Sequence, residues 1–371
     1  MIDPRVKKLA KVLVHYSCGL KRGEKILIEA RGVDYSVVSA ILEEVEAAGG
    51  LPFVSMIDNR VQRSILKMMT KELADEMAKF DGFRMSEMNA YIGIRGGNNC
   101  YESGDVEPQR TQIYDKYYSH PVHHELRVGK TKWVVLRYPT EGMSQLARMS
   151  TDAFEDFYFK VCTLDYGKMD RAMDSLCKLI AVTDKVRIVA KDTDLSFSIK
   201  GMGSEKCSGL RNIPDGEVYT APVRDSVNGY IHYNVPSIEK GIEFNDVRLT
   251  FKNGKIIEAT ANHTELANSI FDTDEGARYV GEFAFGLNPY ITEPIGDILF
   301  DEKISGSIHF TPGSCYDDVY NGNKSAIHWD LVQVHTPKYG GGEIYFDGKL
   351  IRKDGRFVLP ELMGLNPENL M

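Results

Sequence analysis

The stretch GEKILIEARGVDYSVVSAILEEVEAAGGLPFVSM, residues 23–56, decides how the first half of the chain is built. Gly23 opens a turn, and the compact apolar run Lys25 to Glu29 that follows has the length of a strand. From Tyr35 to Ala48 the apolar positions recur at helical spacing, and Leu51 to Met56 returns to strand texture. Strand, helix, strand in this order brings the two strands side by side and parallel, with the helix covering one face.

Working outward, Val6, Leu9, Ala10, Leu13 and Val14 predict a helix between Pro4 and Gly19. Downstream, Val61 to Lys79 reads as one helix, and Ala90 to Arg95 and Lys132 to Tyr138 read as further strands. Between Gly96 and Gly129 lies a polar stretch with helical patches, and it carries His120, His123 and His124. A helical region after Pro139, MSTDAFEDFYFKVCTLDYGKMDRAMDSLCKLI, leads to about residue 180. Beyond it the segments DKVRIVAKDTDLSFSIKG, GEVYTAPV, GYIHYNV, DVRLTFKNGKIIEATA and GGEIYFDGKL are short, glycine-punctuated and β-rich. The expected fold class is α/β: an N-terminal parallel α/β sheet domain over 1–180 and a C-terminal α+β, β-rich domain over 181–371.

A chain of 371 residues, 43% hydrophobic and 26% charged, is long enough for two packed domains. Its formal charge of -8 and the lack of any basic block argue against a nucleic-acid partner. No run reaches the roughly 18 apolar residues of a membrane span, so no membrane partner is expected and the cytoplasm is the expected location. Cys18, Cys100, Cys162, Cys177, Cys207 and Cys315 are far apart with no C-x-x-C pair, which predicts reduced, mostly packing thiols.

Chemistry gathers in the second half. In SAIHWDLVQV a strand would place His328 and Asp330 on one face, where an imidazole beside a carboxylate suits a divalent metal. The plain alternative is a His–Asp hydrogen bond on a sheet. Glu217 follows a tight Pro-Asp-Gly turn, Glu282 stands next to Gly281 within an apolar run, and His309 lies at the end of the strand-like ISGSIHF, just before Phe310, at a presumed sheet edge. Tyr316 follows seven residues after His309, and Glu302 precedes it by seven. Taken singly, each carboxylate reads as a surface or loop residue and His309 as a satisfied core imidazole. The cluster His120, His123 and His124 has no carboxylates brought to it and reads as a solvated loop.

Together, PDGEVYTAP, the Gly-Glu step at 281–282, the His309–Tyr316 spacing and the final His-x-Asp resemble the thermophilic aminopeptidase (M29) family of metallopeptidases. The likeness extends to KLAKVLVHYSCGLKRGEKILI, RYPTEGMSQLARMSTDAFEDFYF and TDLSFSIKG. It implies metal ligands at Glu217, Glu282, His309, Tyr316, His328 and Asp330, holding two divalent ions (Zn, Co, Mn or Mg) that activate a water. It implies catalytic parts for Glu217 and Tyr316, and for Glu302 as general base or as a partner of the ligands. The implied activity is removal of N-terminal residues from peptides with a free N-terminus, by a homodimer. The loop from Tyr316 to His328 looks shorter than the family's usual form. Other readings are a different dinuclear hydrolase (amidase or phosphoesterase), a mononuclear iron oxygenase using His328 and Asp330, and a binding protein without turnover. A phosphoesterase would need cations near the metals, and only Lys324 and Arg352 lie nearby in sequence.

Overall fold

A computed structural model describes residues 2–99, 101–239 and 241–371, so Cys100 lies outside the described residues. The chain divides into two compact units, Met1–Thr163 with Gly209–Pro214, and Leu164–Ser208 with Asp215–Met371. The boundary expected at 180/181 placed the helix Tyr166–Ile180 in the N-terminal part. That helix groups with the second unit instead, because it packs on the strands Glu205–Cys207 and Glu217–Thr220 and on the turn Pro360–Leu365. Its buried face is Tyr166, Met169, Met173, Leu176 and Ile180.

The first unit is the expected parallel sheet with helices. Lys25–Arg31 pairs parallel with both Leu51–Ile57 and Ala90–Arg95, and Ala90–Arg95 pairs parallel with Lys132–Arg137. The short segment Asn212–Ile213 returns from far along the chain to add a fifth strand beside Lys132–Arg137. Alternation sends Ile26, Ile28, Ile92, Ile94, Val134 and Leu136 into the core. The single helix expected over 61–79 is two helices, Asn59–Lys67 and Lys71–Ser86. Thr70 divides them: its hydroxyl accepts from the Leu73 N–H at 3.2 Å, a cap that starts a new helix. Asp58 caps the first in the same way, accepting from Arg60 N–H at 2.8 Å.

The second unit is β-rich, as expected. Its larger sheet has eight strands, and Lys185–Ala190, Thr193–Ser198, Asn228–His232 and Gly342–Phe346 lie within it. A five-stranded antiparallel sheet runs in the order Val332–Val334, Ser307–Pro312, Val280–Gly286, Glu217–Thr220, Glu205–Cys207. One face of this smaller sheet is aromatic: Phe283 and Phe310 contact Phe197 of the larger sheet at 5.1 and 5.0 Å between ring centroids. Side chains alternate along a strand, so the residues between these phenylalanines must point to the opposite face. Those residues are Glu282, Ala284, His309 and Thr311.

No helix among the described residues is long and apolar enough to cross a membrane. Cys18, Cys162, Cys177, Cys207 and Cys315 are all free thiols.

Candidate metal centre

Strand register brings the first candidates together. Ala284 lies opposite both His309 and Tyr219, Glu282 lies opposite Thr311, and Glu217 lies opposite Gly286. Glu217, Glu282 and His309 therefore share the non-aromatic face of the smaller sheet. His309 stands on an interior strand of that sheet, flanked on both sides, rather than at the edge expected from sequence.

A bulge at Gly281 shapes the neighbouring loop. A Cβ at this position would meet the Ser314 carbonyl oxygen at 2.3 Å, so only glycine lets that loop approach. The Ser314 carbonyl in turn accepts from His328 Nδ1 at 2.7 Å. His328 and Asp330 are not in a regular strand as expected. Only Val332–Val334 is strand, and His328 forms a single antiparallel bridge with Gly313. The two side chains nevertheless point the same way, with His328 Nε2 3.3 Å from Asp330 Oδ1.

Both imidazoles are oriented by the same device. A carbonyl can only accept, so His309 Nδ1 donates to the Glu302 carbonyl at 3.2 Å, and His328 Nδ1 donates to that of Ser314. Each ring thus presents Nε2 to the carboxylates. His309 Nε2 is 3.0 Å from Glu282 Oε1 and 3.6 Å from Glu217 Oε2, while His328 Nε2 is 3.2 Å from Glu282 Oε2. Glu282 bridges the two rings. Asp330 accepts from the Thr311 hydroxyl at 2.7 Å, which fixes one of its oxygens.

Electrostatics in this pocket follow from burial opposed by close opposite charge. Burial disfavours both imidazolium forms, but the adjoining carboxylates prevail: Glu282 chiefly lifts His309 to about 10, and Asp330 and Glu282 lift His328 to about 12. Burial also opposes the charges of Glu282 and Asp330, yet bonds from the histidines hold both carboxyls below their usual range. Glu217 goes the other way, raised by burial and by the charges of Glu282 and Asp215, against which Lys303 and His309 pull only in part. Burial and the nearby Glu217 and Asp330 raise Glu302 to about 8.

Tyr316 lies at the open side: the residue is 49% exposed, and its ring centroid is 4.8 Å from that of His328. Crowding of its hydroxyl end and the charges of Glu282, Asp330, Glu302 and Glu217 push the phenol well above its ordinary range. Glu302, for which a surface position was the plain alternative, has a side chain only 13% exposed.

This donor set fits a divalent cation. Ligand atoms of Glu282, His309 and Asp330 lie within 4.8 Å of one another, and Glu217 Oε2 is buried with no hydrogen-bond partner. Lys303 at 3.9 Å and His309 Nε2 at 3.6 Å lie near this oxygen but do not bond to it, and a bound cation would supply the missing contact. A second group, Cys207, Asp215 and Glu217, meets the same distance criterion. Burial and the carboxylates around it hold the Cys207 thiol above its ordinary value.

Sequence reasoning missed Lys303, which is wholly buried and ion-paired to Glu302 and, at 3.9 Å, to Glu217. The run FDEK looked like an ordinary charged helix end. Its one signal was its flanks, because Phe300 and Ile304 are both fully buried. Arg352 is not at this site: it donates to the carbonyls of Gly306 and Ser307 and stacks on Phe285 and Phe357. In the first unit His120 pairs with Glu125 at 3.3 Å and stacks on His124, while His123 is buried. None of the three belongs to a three-ligand cluster among the described residues.

The profile of the thermophilic metalloprotease (M29) family matches residues 2–357. Aminopeptidase AmpS of Bacillus subtilis (strain 168) is 34% identical over 161 residues, a match covering 39% of this chain and 38% of that protein. Wild-type AmpT from Thermus thermophilus superposes with a TM-score of 0.79 at 20% identity, covering 96% of this chain and 99% of that one. A 2,5-dihydroxypyridine dioxygenase from Pseudomonas putida KT2440 shares the fold at a TM-score of 0.62 and 13% identity, covering 96% of this chain and 98% of that one.

Proposed function

Since the chain belongs to the M29 family of thermophilic metalloproteases, we propose that it is a metal-dependent aminopeptidase, which removes N-terminal residues from peptides. The observation that carries this is the bridge made by Glu282, whose two oxygens face the Nε2 atoms of His309 and His328. A carboxylate so placed between two fixed imidazoles, with Glu217 and Asp330 beyond them, suits two divalent cations. Glu217, Glu282, His309, Tyr316, His328 and Asp330 would hold them. Such ions, when bound, supply Lewis-acid polarisation of a carbonyl and lower the pKa of a water.

The chain's own residues do the rest. The Glu302 and Ser314 carbonyls hold the imidazoles in one tautomer, so the rings present lone pairs once the Nε2 protons leave. Glu302, buried beside Glu217, can take a proton from the attacking water and return it to the leaving amine. Carboxylates at the site give a free α-amine a partner, which favours cleavage at the first residue. Tyr316, half exposed beside His328, can donate to a peptide oxygen arriving from solvent.

The dioxygenase fold likeness makes a mononuclear iron site the competing reading. It would leave Glu217 without a task. Metal analysis of the purified protein, combined with release of p-nitroaniline from amino-acid p-nitroanilides with and without chelator, separates the two. Two divalent ions per chain and chelator-sensitive release are expected. One iron and no release would overturn the aminopeptidase reading.

Two further parts of the proposal concern setting. Free cysteines suit a reducing compartment, which supports the cytoplasm. A homodimer is supported by the edge strand Leu51–Ile57, which carries no charge and leaves Leu51, Phe53, Val54 and Met56 exposed. Pro52 blunts this edge in part, but no charge or cover protects its exposed apolar side chains.

A further inference from the structure

The dipeptide Glu302–Lys303 meets the metal centre through main chain and side chains together. Its Glu302 carbonyl accepts from His309 Nδ1, and the Lys303 carbonyl accepts from the Asn288 N–H at 3.0 Å. Gly286 permits this approach: a Cβ there would meet the Ile304 carbonyl and the Ser307 hydroxyl, each at 2.4 Å. Pinned in this way, the Lys303 side chain runs inward with no exposed surface, and its ammonium ends between Glu302 Oε1 and Glu217 Oε2. A lysine with no exposed surface cannot be a docking group for substrate arriving from solvent. It does carry an ammonium into a site crowded with carboxylates, paired to Glu302 and 3.9 Å from Glu217 Oε2.

We propose that Lys303 is a positioning residue, a resident monovalent cation that holds the Glu302 carboxylate in place as proton acceptor. The role assigned to Glu302 rests on the aminopeptidase reading above, whereas the effect of Lys303 on cation binding does not. Without the ammonium, two adjacent carboxylates at Glu217 and Glu302 would repel, and Glu302 would swing away. That change removes a base without removing a ligand. Because Lys303 also repels any incoming dication, its loss should not weaken metal binding.

The test is K303M, a neutral side chain of similar length, compared with E302Q and with the double variant. Each is titrated with Co2+ alone after metal removal, and each is assayed after reloading. For K303M, kcat is expected to fall by roughly 100-fold to 10,000-fold, as for loss of a general base, with KM little changed. Its Co2+ affinity should be unchanged or tighter. In the E302Q background K303M should cost almost nothing more, because both changes disable one device.

Additive losses in the double variant, or an unchanged kcat in K303M, would overturn the proposal. Co2+ binding weakened by roughly 10-fold to 100-fold would instead make Lys303 a support for the Glu217 ligand, and would also overturn it. So would a K303M protein without native circular dichroism, since the ammonium would then be structural. Wild-type protein that releases no N-terminal residue would defeat the aminopeptidase reading alone, and the Co2+ titration would still judge Lys303.

Discussion

His309 Nδ1 donates to the backbone carbonyl of Glu302, seven residues earlier in the chain, at 3.2 Å. This one bond fixes which nitrogen of the ring faces Glu282 and Glu217, and it keeps the Glu302 backbone beside the imidazole. The equivalent bond from His328 to Ser314 does the same on the far side of Glu282. Orientation of both imidazoles is therefore backbone work, which side-chain substitutions cannot easily imitate.

Removing a ligand should be worse than removing a supporter. H328A and E282A are expected to lose turnover and to lower metal affinity by more than the roughly 10-fold to 100-fold that an outer partner costs. Circular dichroism should stay native, because both side chains face away from the aromatic layer. Metal content measured on purified protein checks this, and wild-type content in both variants would sink the ligand assignment.

Recognition of a free α-amine predicts selectivity at the peptide terminus. Acetylating the N-terminus of a good peptide substrate should reduce kcat/KM by at least about 100-fold, since a capped nitrogen has lost its charge and its lone pair. Comparable rates on capped and free peptides would point to an amidase.

Acid sensitivity should arise in the first unit. His123 is buried with an unpartnered Nε2, and burial together with the charges of Arg127, Arg31 and Arg95 depresses it to about 4, against the pull of Glu29. Its folded value is below the unfolded 6.5, so the unfolded chain binds more protons between these limits. Stability contributed here is present above pH 6.5 and drains away as pH falls towards 4, by up to about 3 kcal/mol. Chemical denaturation at several pH values should show this slope, and H123N should flatten it. An equal slope in both proteins would show that other groups govern acid unfolding.

The exposed edge strand predicts assembly through the first unit. Light scattering of the wild-type protein at micromolar concentration should give a dimer, and F53K with M56K should weaken it by more than about 100-fold. A wild-type monomer would refute the dimer itself. A doubly substituted protein that stays dimeric would move the interface elsewhere.

The parallel sheet was legible because its signal is local. Lys25–Arg31, Tyr35–Ala48 and Leu51–Ile57 each carry their own periodicity, and connections this short leave few topologies. The break between Asn59–Lys67 and Lys71–Ser86 was missed because apolar residues continue at helical spacing through Met68 and Met69, while the Thr70 cap depends on one hydroxyl. The helix Tyr166–Ile180 was assigned by its place in the chain, although its grouping is set by what its apolar face packs on.

By itself the sequence determined the order of strands and helices and the types and spacing of the residues at Glu217, Glu282, His309, Tyr316, His328 and Asp330. Those follow from side-chain period and from turn residues, which act over a few positions. Only the tertiary structure decided that Glu282 lies between two imidazoles, that backbone carbonyls set the tautomer of both, and that Lys303 is buried beside Glu217. The contacts from Glu217 to Lys303 and from Glu282 to His328 join residues tens of positions apart, and the two carbonyl bonds span seven and fourteen residues. They depend on strand register, on the bulge at Gly281 and on the close approach allowed at Gly286, and none of these is encoded in the local pattern of any one segment.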